Sequence, residues 1–243
     1  MQKISPELLS NWNQYGAWAA YAIAGIGVLI LLAHLFKLMS AKDFKTKYNY
    51  INMHEINLLW YSALSIITGG TIYTNTIRGE STVIIFIIWI VVSAMMAGII
   101  SVVIRQILKF YYPFYIEKRL KSLRYTPRTN PENGNKMKRL TEEEEEVYLD
   151  EGMQAEENAF SVDYDVWIDE STGYTKIEKY NGRLHALKCY ECNYQTLRVT
   201  KEEIIKETTH DDEGELMKYY DCGYCGHKQR KLFKIAQLKD TPA

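Results

Sequence analysis

Residues 82–104 read TVIIFIIWIVVSAMMAGIISVVI, a run without a single Asp, Glu, Lys or Arg. Crossing the hydrocarbon core of a bilayer takes about 20 consecutive apolar residues. The β-branched residues of this run would favour a strand in water, but a segment in lipid must satisfy its backbone hydrogen bonds internally. The stretch therefore predicts a transmembrane helix.

Two further uncharged stretches precede it, Leu8–Phe36 and Ile56–Ile77. Both are long enough to cross a bilayer. The second is more polar, with Asn57 and several Ser, Thr and Gly residues, so a buried helix of a water-soluble fold is its alternative interpretation. The Arg-Gly-Glu sequence at 78–80 predicts a tight turn, which makes the second and third stretches an antiparallel hairpin. Residues 1–110 are thus expected to form an all-α membrane domain with three transmembrane helices.

The basic residues are distributed unevenly about these stretches. One side of the membrane would have only Lys3 and Arg78. The other side carries Lys37, Lys42, Lys45, Lys47, Arg105, Lys109, Lys118, Arg119, Lys121, Arg124 and Arg128. Because Lys and Arg are retained on the cytoplasmic side, we expect the N-terminus outside and the C-terminal domain in the cytosol. The first stretch lacks the basic n-region and short apolar core of a cleaved signal sequence. Together with the Ile-, Lys-, Asn- and Tyr-rich composition, this predicts a multi-pass protein of a bacterial inner membrane.

Residues 111–140 are expected to form a basic juxtamembrane helix, kinked at Pro113, and a linker. The cationic side chains between Arg105 and Arg124 have two interpretations. They bind anionic membrane lipids, at about 1 kcal/mol per residue near the surface, or they serve only to fix the topology.

Residues 141–181 are expected to form an acidic helix followed by strands. Thr141 and Glu144 have the spacing of a capping box, and no Lys or Arg occurs between Leu140 and Thr175. The acidic face either docks on a basic partner or is simply solvated. Residues 163–169 and 174–180 read as two strands joined by a turn.

All four cysteines of the chain lie in two CxxC pairs, and the chain between them reads as a β-hairpin. Each pair lets two thiolates converge on one ion, and four thiolates suit tetrahedral zinc. The spacing predicts a zinc ribbon over residues 182–238, with one structural zinc ion held by Cys189, Cys192, Cys222 and Cys225. An iron–sulfur centre and a redox dithiol are the alternatives, while the expected cytosolic location argues against disulfides.

With four cysteine ligands the predicted site is closed and therefore structural. A catalytic zinc site keeps one position open for water. The nearby His185, His210 and His227 are interpreted as surface or strand residues. Residues 182–235 contain ten Lys and Arg against nine Asp and Glu. Nucleic-acid binding domains usually carry a basic stripe, so no nucleic acid is expected and a protein partner is favoured.

The part from Arg119 to Phe233 resembles the cytosolic tail of some bacterial TPM-domain membrane proteins. The residues that carry the resemblance are Leu123-Arg124, the run Asn130-Pro-Glu-Asn-Gly134, Met137, Leu140, Tyr148-Leu149, Glu156-Glu157, the run Ser161-Val-Asp-Tyr-Asp-Val-Trp167 and the two cysteine pairs. The resemblance covers a little under half of the chain and implies a cytosolic interaction module.

The chain departs from that family in two respects. The family tails have a second zinc site, and Asn130, Asn133, Asp169 and Thr172 stand at its four ligand positions here. We therefore expect this site to be free of metal. In place of an extracytoplasmic TPM domain we expect three transmembrane helices with short loops before the tail, so the activity of that domain is not implied.

The sequence favours a non-enzymatic membrane protein that uses a zinc ribbon to bind a protein partner. The first alternative is an accessory subunit of a larger transport, secretion or respiratory complex. The second is an enzyme at the membrane face that uses Asp163, Asp165 or nearby acids, although no nucleophile, base or open metal position is recognised.

Overall fold

The computed structural model describes residues 3–77, 82–182, 184–210 and 212–237. The predicted turn at 78–80, Asp211 in the predicted hairpin turn and the end of the predicted zinc ribbon at Leu238 lie outside the described residues. The chain divides into two compact units between Thr126 and Pro127.

The first unit is helical. Its elements are α1 (Pro6–Ser40), α2 (Phe44–Ile77), α3 (Val83–Gln106), a π-helical turn (Ile107–Tyr111) and α4 (Tyr112–Tyr125). In the described part of the chain, α1 and the continuous helix Val83–Tyr125 are long and apolar enough to cross a membrane. The second predicted stretch lies within the more polar α2, and its crossing of a membrane stays a prediction.

The π-helical turn lies directly before Pro113, where the sequence predicts a kink. Proline lacks a backbone N–H and its ring clashes with the preceding helical turn. A local change of hydrogen-bond register is a common response to such a break. The chain therefore stays helical through this point instead of ending.

Small residues let α1 and α2 pack closely. A Cβ on Gly27 would lie 2.7 Å from the carbonyl oxygen of Ser62, and one on Gly69 would lie 2.7 Å from that of Ala20. The hydroxyl of Ser62 donates to the carbonyl oxygen of Gly27 at 2.8 Å. Close backbone approach through small residues is a common way to associate helices in lipid. Gly98 of α3 differs, because a Cβ there would meet no described atom within 4 Å.

A buried carboxylate connects α2 with α4. Glu55 is 1% exposed and accepts a hydrogen bond from the hydroxyl of Tyr112 at 2.6 Å. Arg119 pairs with the same carboxylate, and Nε2 of His34 lies 3.5 Å from it. Arg119 is therefore engaged with another helix, whereas the sequence alone assigned it only to topology or lipid binding.

The second unit contains two three-stranded antiparallel sheets. The first sheet consists of β1 (Lys138–Arg139), β2 (Val162–Ile168) and β3 (Thr175–Asn181), accompanied by α5 (Glu142–Glu145) and α6 (Glu151–Asn158). The predicted capping box of Thr141 and Glu144 is present at the start of α5. Leu140, Leu149, Val162, Tyr164 and Val166 form the core.

Arg128 belongs to this core. It is 2% exposed, its Nη2 donates to Glu178 at 2.7 Å, and its guanidinium lies 4.7 Å from the ring centre of Trp167. Arg128 is therefore engaged within the first sheet, whereas the sequence alone counted it only among the basic residues that set the topology; that topology stays a prediction.

The second sheet consists of β4 (Leu197–Lys206), β5 (Gly214–Cys222) and β6 (Lys228–Ile235). β4 and β5 agree with the predicted hairpin, and β6 adds a third strand after the second cysteine pair. Leu197 pairs with Cys222 across β4 and β5. This register sets the two cysteine pairs beside each other.

Replacing Gly69 by Leu tests the packing of α1 on α2. A larger side chain there meets the backbone of α1, and overpacking costs about 1–3 kcal/mol. We expect a lower melting temperature of the detergent-solubilised protein. The matched control is Gly70→Leu, because a Cβ on Gly70 meets no described atom within 4 Å. Equal melting of the two variants would contradict the packing.

Candidate metal centre

The four cysteines converge at one end of the β4–β5–β6 sheet. Cys189 and Cys192 precede β4, Cys222 ends β5, and Cys225 lies between β5 and β6. Their sulfur atoms all lie within 4.8 Å of one another. Sγ of Cys189 is 3.7 Å from Sγ of Cys225, and the sulfurs of Cys192 and Cys222 are also 3.7 Å apart.

These separations fit one metal ion between four sulfurs. At bond lengths of about 2.3 Å, two ligands of a tetrahedral ion lie about 3.8 Å apart, whereas a disulfide requires about 2.05 Å. Cys189 and Cys222 are buried, and Cys225 is exposed. Among the described residues no histidine joins the cluster. The cluster can therefore hold a metal ion with sulfur ligands alone.

The two CxxC loops share one backbone geometry. In the first, the N–H of Asn193 donates to the carbonyl of Cys189, and the N–H of Cys189 donates to the carbonyl of Tyr194, both at 2.9 Å. In the second, Gly226 donates to Cys222 at 3.1 Å and Cys222 donates to His227 at 2.8 Å. Each loop thus reverses over four residues and directs two sulfurs to the same side.

The reversal needs a left-handed residue at the same place in both loops. Gly226 has φ +71° and Asn193 has φ +64°. The need for Asn193 was missed in the sequence. Asparagine is among the few non-glycine residues that adopt this conformation readily, and that preference was the available signal. Gly223 of the second loop has an ordinary φ, and a Cβ there would only reach van der Waals contact.

Hydrogen bonds and ring contacts surround the sulfurs. The hydroxyl of Thr196 lies 3.0 Å from Sγ of Cys222. Burial opposes ionisation of Cys222, but the bond with Thr196 and backbone N–H groups lower its pKa to about 6. Burial raises the pKa of Cys192 to about 12. Tyr190 meets the ring of His227 edge-on at 4.4 Å, which joins the two loops beside the sulfurs.

Two other loops in the unit repeat this backbone geometry. Gly134 donates to the carbonyl of Asn130 at 2.9 Å and has φ +77°. Gly173 donates to the carbonyl of Asp169 at 2.8 Å and has φ +76°. The second hydrogen bond of the pattern is also present. The N–H of Asn130 donates to the carbonyl of Asn135, and the N–H of Asp169 donates to the carbonyl of Tyr174. We call a chain reversal of this kind a knuckle. The two CxxC loops form the first pair of knuckles, and the loops at 130–135 and 169–174 form a second pair.

Side-chain hydrogen bonds join this second pair. Oδ2 of Asp169 accepts from the amides of Asn130 and Asn133, both at 2.7 Å, and from the hydroxyl of Thr172 at 3.0 Å. Bonds from Ser171, Asn133 and Asn130 hold the pKa of Asp169 well below its usual range. The structure thus brings together all four residues that the sequence assigns to a degenerate site. That this site is metal-free stays a prediction.

Comparison of the chain with protein-family models, with curated proteins and with solved structures finds no match.

Introducing cysteine at Asn130, Asn133, Asp169 and Thr172 together tests whether the second pair of knuckles retains a metal-site geometry. The four side chains already converge, so four thiolates there should bind one further ion. Elemental analysis should show the metal content rise from about one to about two ions per chain. The variant with only Asn130→Cys and Asn133→Cys should stay at the lower value. An unchanged content in the fourfold variant would contradict the shared geometry.

Proposed function

We propose that the chain is a non-enzymatic integral membrane protein that presents a zinc ribbon to a protein partner in the cytosol. The observation that carries the proposal is the convergence of four cysteine sulfurs beside a three-stranded sheet. Four sulfur ligands close the coordination sphere, and closed sites stabilise folds. The resemblance to the tails of TPM-domain proteins supports the same role for this part of the chain.

The proposed ion is zinc. Four thiolates with tetrahedral spacing suit zinc or an iron–sulfur centre, and a double CxxC at this spacing is typical of zinc ribbons. Cys189 is fully buried, so its thiolate would be costly without a cation beside it. Zinc supplies that charge and links the two knuckles.

The proposed membrane arrangement has three spans. The two long apolar helices support two of them, and α2 packs closely on α1 through Gly27 and Gly69. The polar residues of α2 are accommodated because several of them face other helices: Ser62 is 1% exposed, and Asn75 donates to Ser93 of α3 at 2.7 Å. The distribution of Lys and Arg supports an outside N-terminus and a cytosolic tail in a bacterial inner membrane.

A row of apolar side chains on the second sheet is the proposed contact with the partner. Ile204 of β4, Leu216 of β5 and Phe233 of β6 are direct cross-strand neighbours. Ile204 is 60% exposed and Phe233 is 40% exposed. Cross-strand neighbours point to one face of a sheet, so the three form a continuous apolar strip. Exposed apolar residues that are grouped in this way favour a protein interface over a solvated surface.

An accessory subunit of a larger membrane complex is the second candidate. Of the described residues of α3, none is buried; Ala94 is exposed, and a Cβ on Gly98 would meet no described atom within 4 Å. Small residues at this spacing suit contact with another transmembrane helix. This candidate places the partner in the membrane, whereas the first places it at the ribbon.

Replacing Phe233 by Asp tests the role of the ribbon. The full-length protein is isolated in mild detergent from native membranes, and co-purifying proteins are quantified by mass spectrometry. We expect Phe233→Asp to keep its zinc but to lose its cytosolic partner at least about tenfold, because burying one Phe contributes about 1.5–3 kcal/mol.

The control is Val147→Asp, which adds the same charge at an exposed apolar residue away from the strip; Val147 is 86% exposed. It should retain the partner. Equal recovery of all partners with both variants would contradict the ribbon as the docking surface. Recovery of membrane subunits with both would favour the second candidate.

A further inference from the structure

Three glutamates outside the cysteine cluster converge on one point in the second unit. Glu142 begins α5, Glu145 ends it, and Glu157 lies in α6. One carboxylate oxygen of each lies within 4.8 Å of the other two. The capping box at Thr141 starts α5 in the direction that brings its first and last residues toward Glu157.

Glu145 is the buried member of this cluster. Its side chain is 2% exposed. Oε2 accepts a bond from the backbone N–H of Val166 at 3.2 Å, whereas Oε1 is buried without a hydrogen-bond partner. Removing a carboxylate from water without a counter-charge costs several kcal/mol. The orphan oxygen therefore requires a ligand that the described side chains do not provide.

Within the described residues, these carboxylates lack a basic partner: none of the three pairs with a Lys or Arg. Two basic side chains of the first sheet pair with other carboxylates: Arg139 with Asp165 at 2.9 Å, and Lys179 with Glu156 at 2.7 Å.

The pKa values of Glu145 and Glu157 reflect both burial and the neighbouring carboxylates. Burial, together with the neighbouring carboxylates of Glu142, Glu157 and Asp165, raises the pKa of Glu145 to about 7. Burial also raises the pKa of Glu157. A bound cation would reverse both effects by stabilising the ionised forms.

We propose that Glu142, Glu145 and Glu157 bind a hard divalent cation of the calcium and magnesium class. Carboxylate oxygens are the ligands that these ions prefer, whereas thiolates select softer metals. Oxygens on opposite sides of Ca²⁺ lie about 5 Å apart, so a spread of up to 4.8 Å needs no contraction. This site is separate from the cysteine cluster and does not depend on the proposed partner.

The surroundings leave access for the ion and for water ligands. Glu142 is exposed, and a cavity of about 330 Å³ is lined by Glu142, Glu157, Phe160, Val162, Asp163 and Gly182. Both ions usually keep water in part of their coordination sphere. Binding would join α5 directly to α6, in addition to the bonds from Gln154 of α6 to the carbonyl oxygens of Glu146 and Leu149.

Calcium titration of the full-length protein tests the site. Detergent-solubilised protein is first dialysed against resin-treated buffer, which removes loosely bound hard cations and leaves the thiolate-bound metal. Calorimetry at pH 8, above the pKa of about 7, should detect about one Ca²⁺ per chain with a Kd of about 10⁻⁵–10⁻³ M. Glu145→Gln should weaken binding at least tenfold.

Glu143→Gln is the matched control, because it removes the same charge from an exposed neighbour outside the cluster. It should bind like the wild type. Zinc content and melting temperature verify that Glu145→Gln is folded, and Glu157→Gln decides the question if it is not. Absence of calcium binding up to about 10 mM, a concentration tenfold above the weakest natural sites, would overturn the proposal. Equal affinity in Glu145→Gln and Glu143→Gln would also overturn it.

Discussion

The convergence of four sulfur atoms is the constraint on which the second sheet depends. The buried core there is small, comprising Cys189, Leu197, Tyr220 and Cys222, and most residues of β4 and β6 are exposed. Small units with little apolar burial commonly need a metal or a disulfide to fold. With a metal ion between the two knuckles, binding free energy becomes folding free energy. The exposed strands then stay ordered, which the proposed contact with another protein requires.

The second unit contains two pairs of knuckles with the same backbone geometry but different side chains. Both pairs of knuckles turn the chain so that four side chains meet. At the cysteines the meeting point suits a cation, whereas at Asp169 a single carboxylate is surrounded by amide and hydroxyl donors. A fully hydrogen-bonded carboxylate is stable when buried. Glu145 is different, because one of its oxygens lacks a donor, and this difference is the reason to infer a cation at one carboxylate and not at the other.

Local signals in the sequence predicted much of the fold. The apolar runs predicted α1 and α3, and Thr141 and Glu144 predicted the start of α5. The segments at 163–169 and 174–180 predicted β2 and β3, and the hairpin between the cysteine pairs predicted β4 and β5. The cysteine spacing predicted the convergence of the four sulfurs. Each of these depends on residues that are close in the chain or on chemistry that is specific to one residue type.

The partners of buried charges could not be predicted from the sequence. Glu55 pairs with Arg119 and Arg128 pairs with Glu178, in each case across 50 or more residues. The sequence does not distinguish a solvated charged residue from a buried one, because tertiary packing creates the environment of the side chain. The orphan oxygen of Glu145 went unrecognised for the same reason, within a run of five glutamates that resembles a solvated helix.

X-ray absorption spectroscopy at the zinc edge on the purified full-length protein tests the central claim most directly. The account predicts about one zinc per chain, with a single shell of four sulfur ligands at about 2.3 Å. A shell that contained nitrogen or oxygen ligands, or a site that held iron in place of zinc, would contradict a closed structural zinc ribbon.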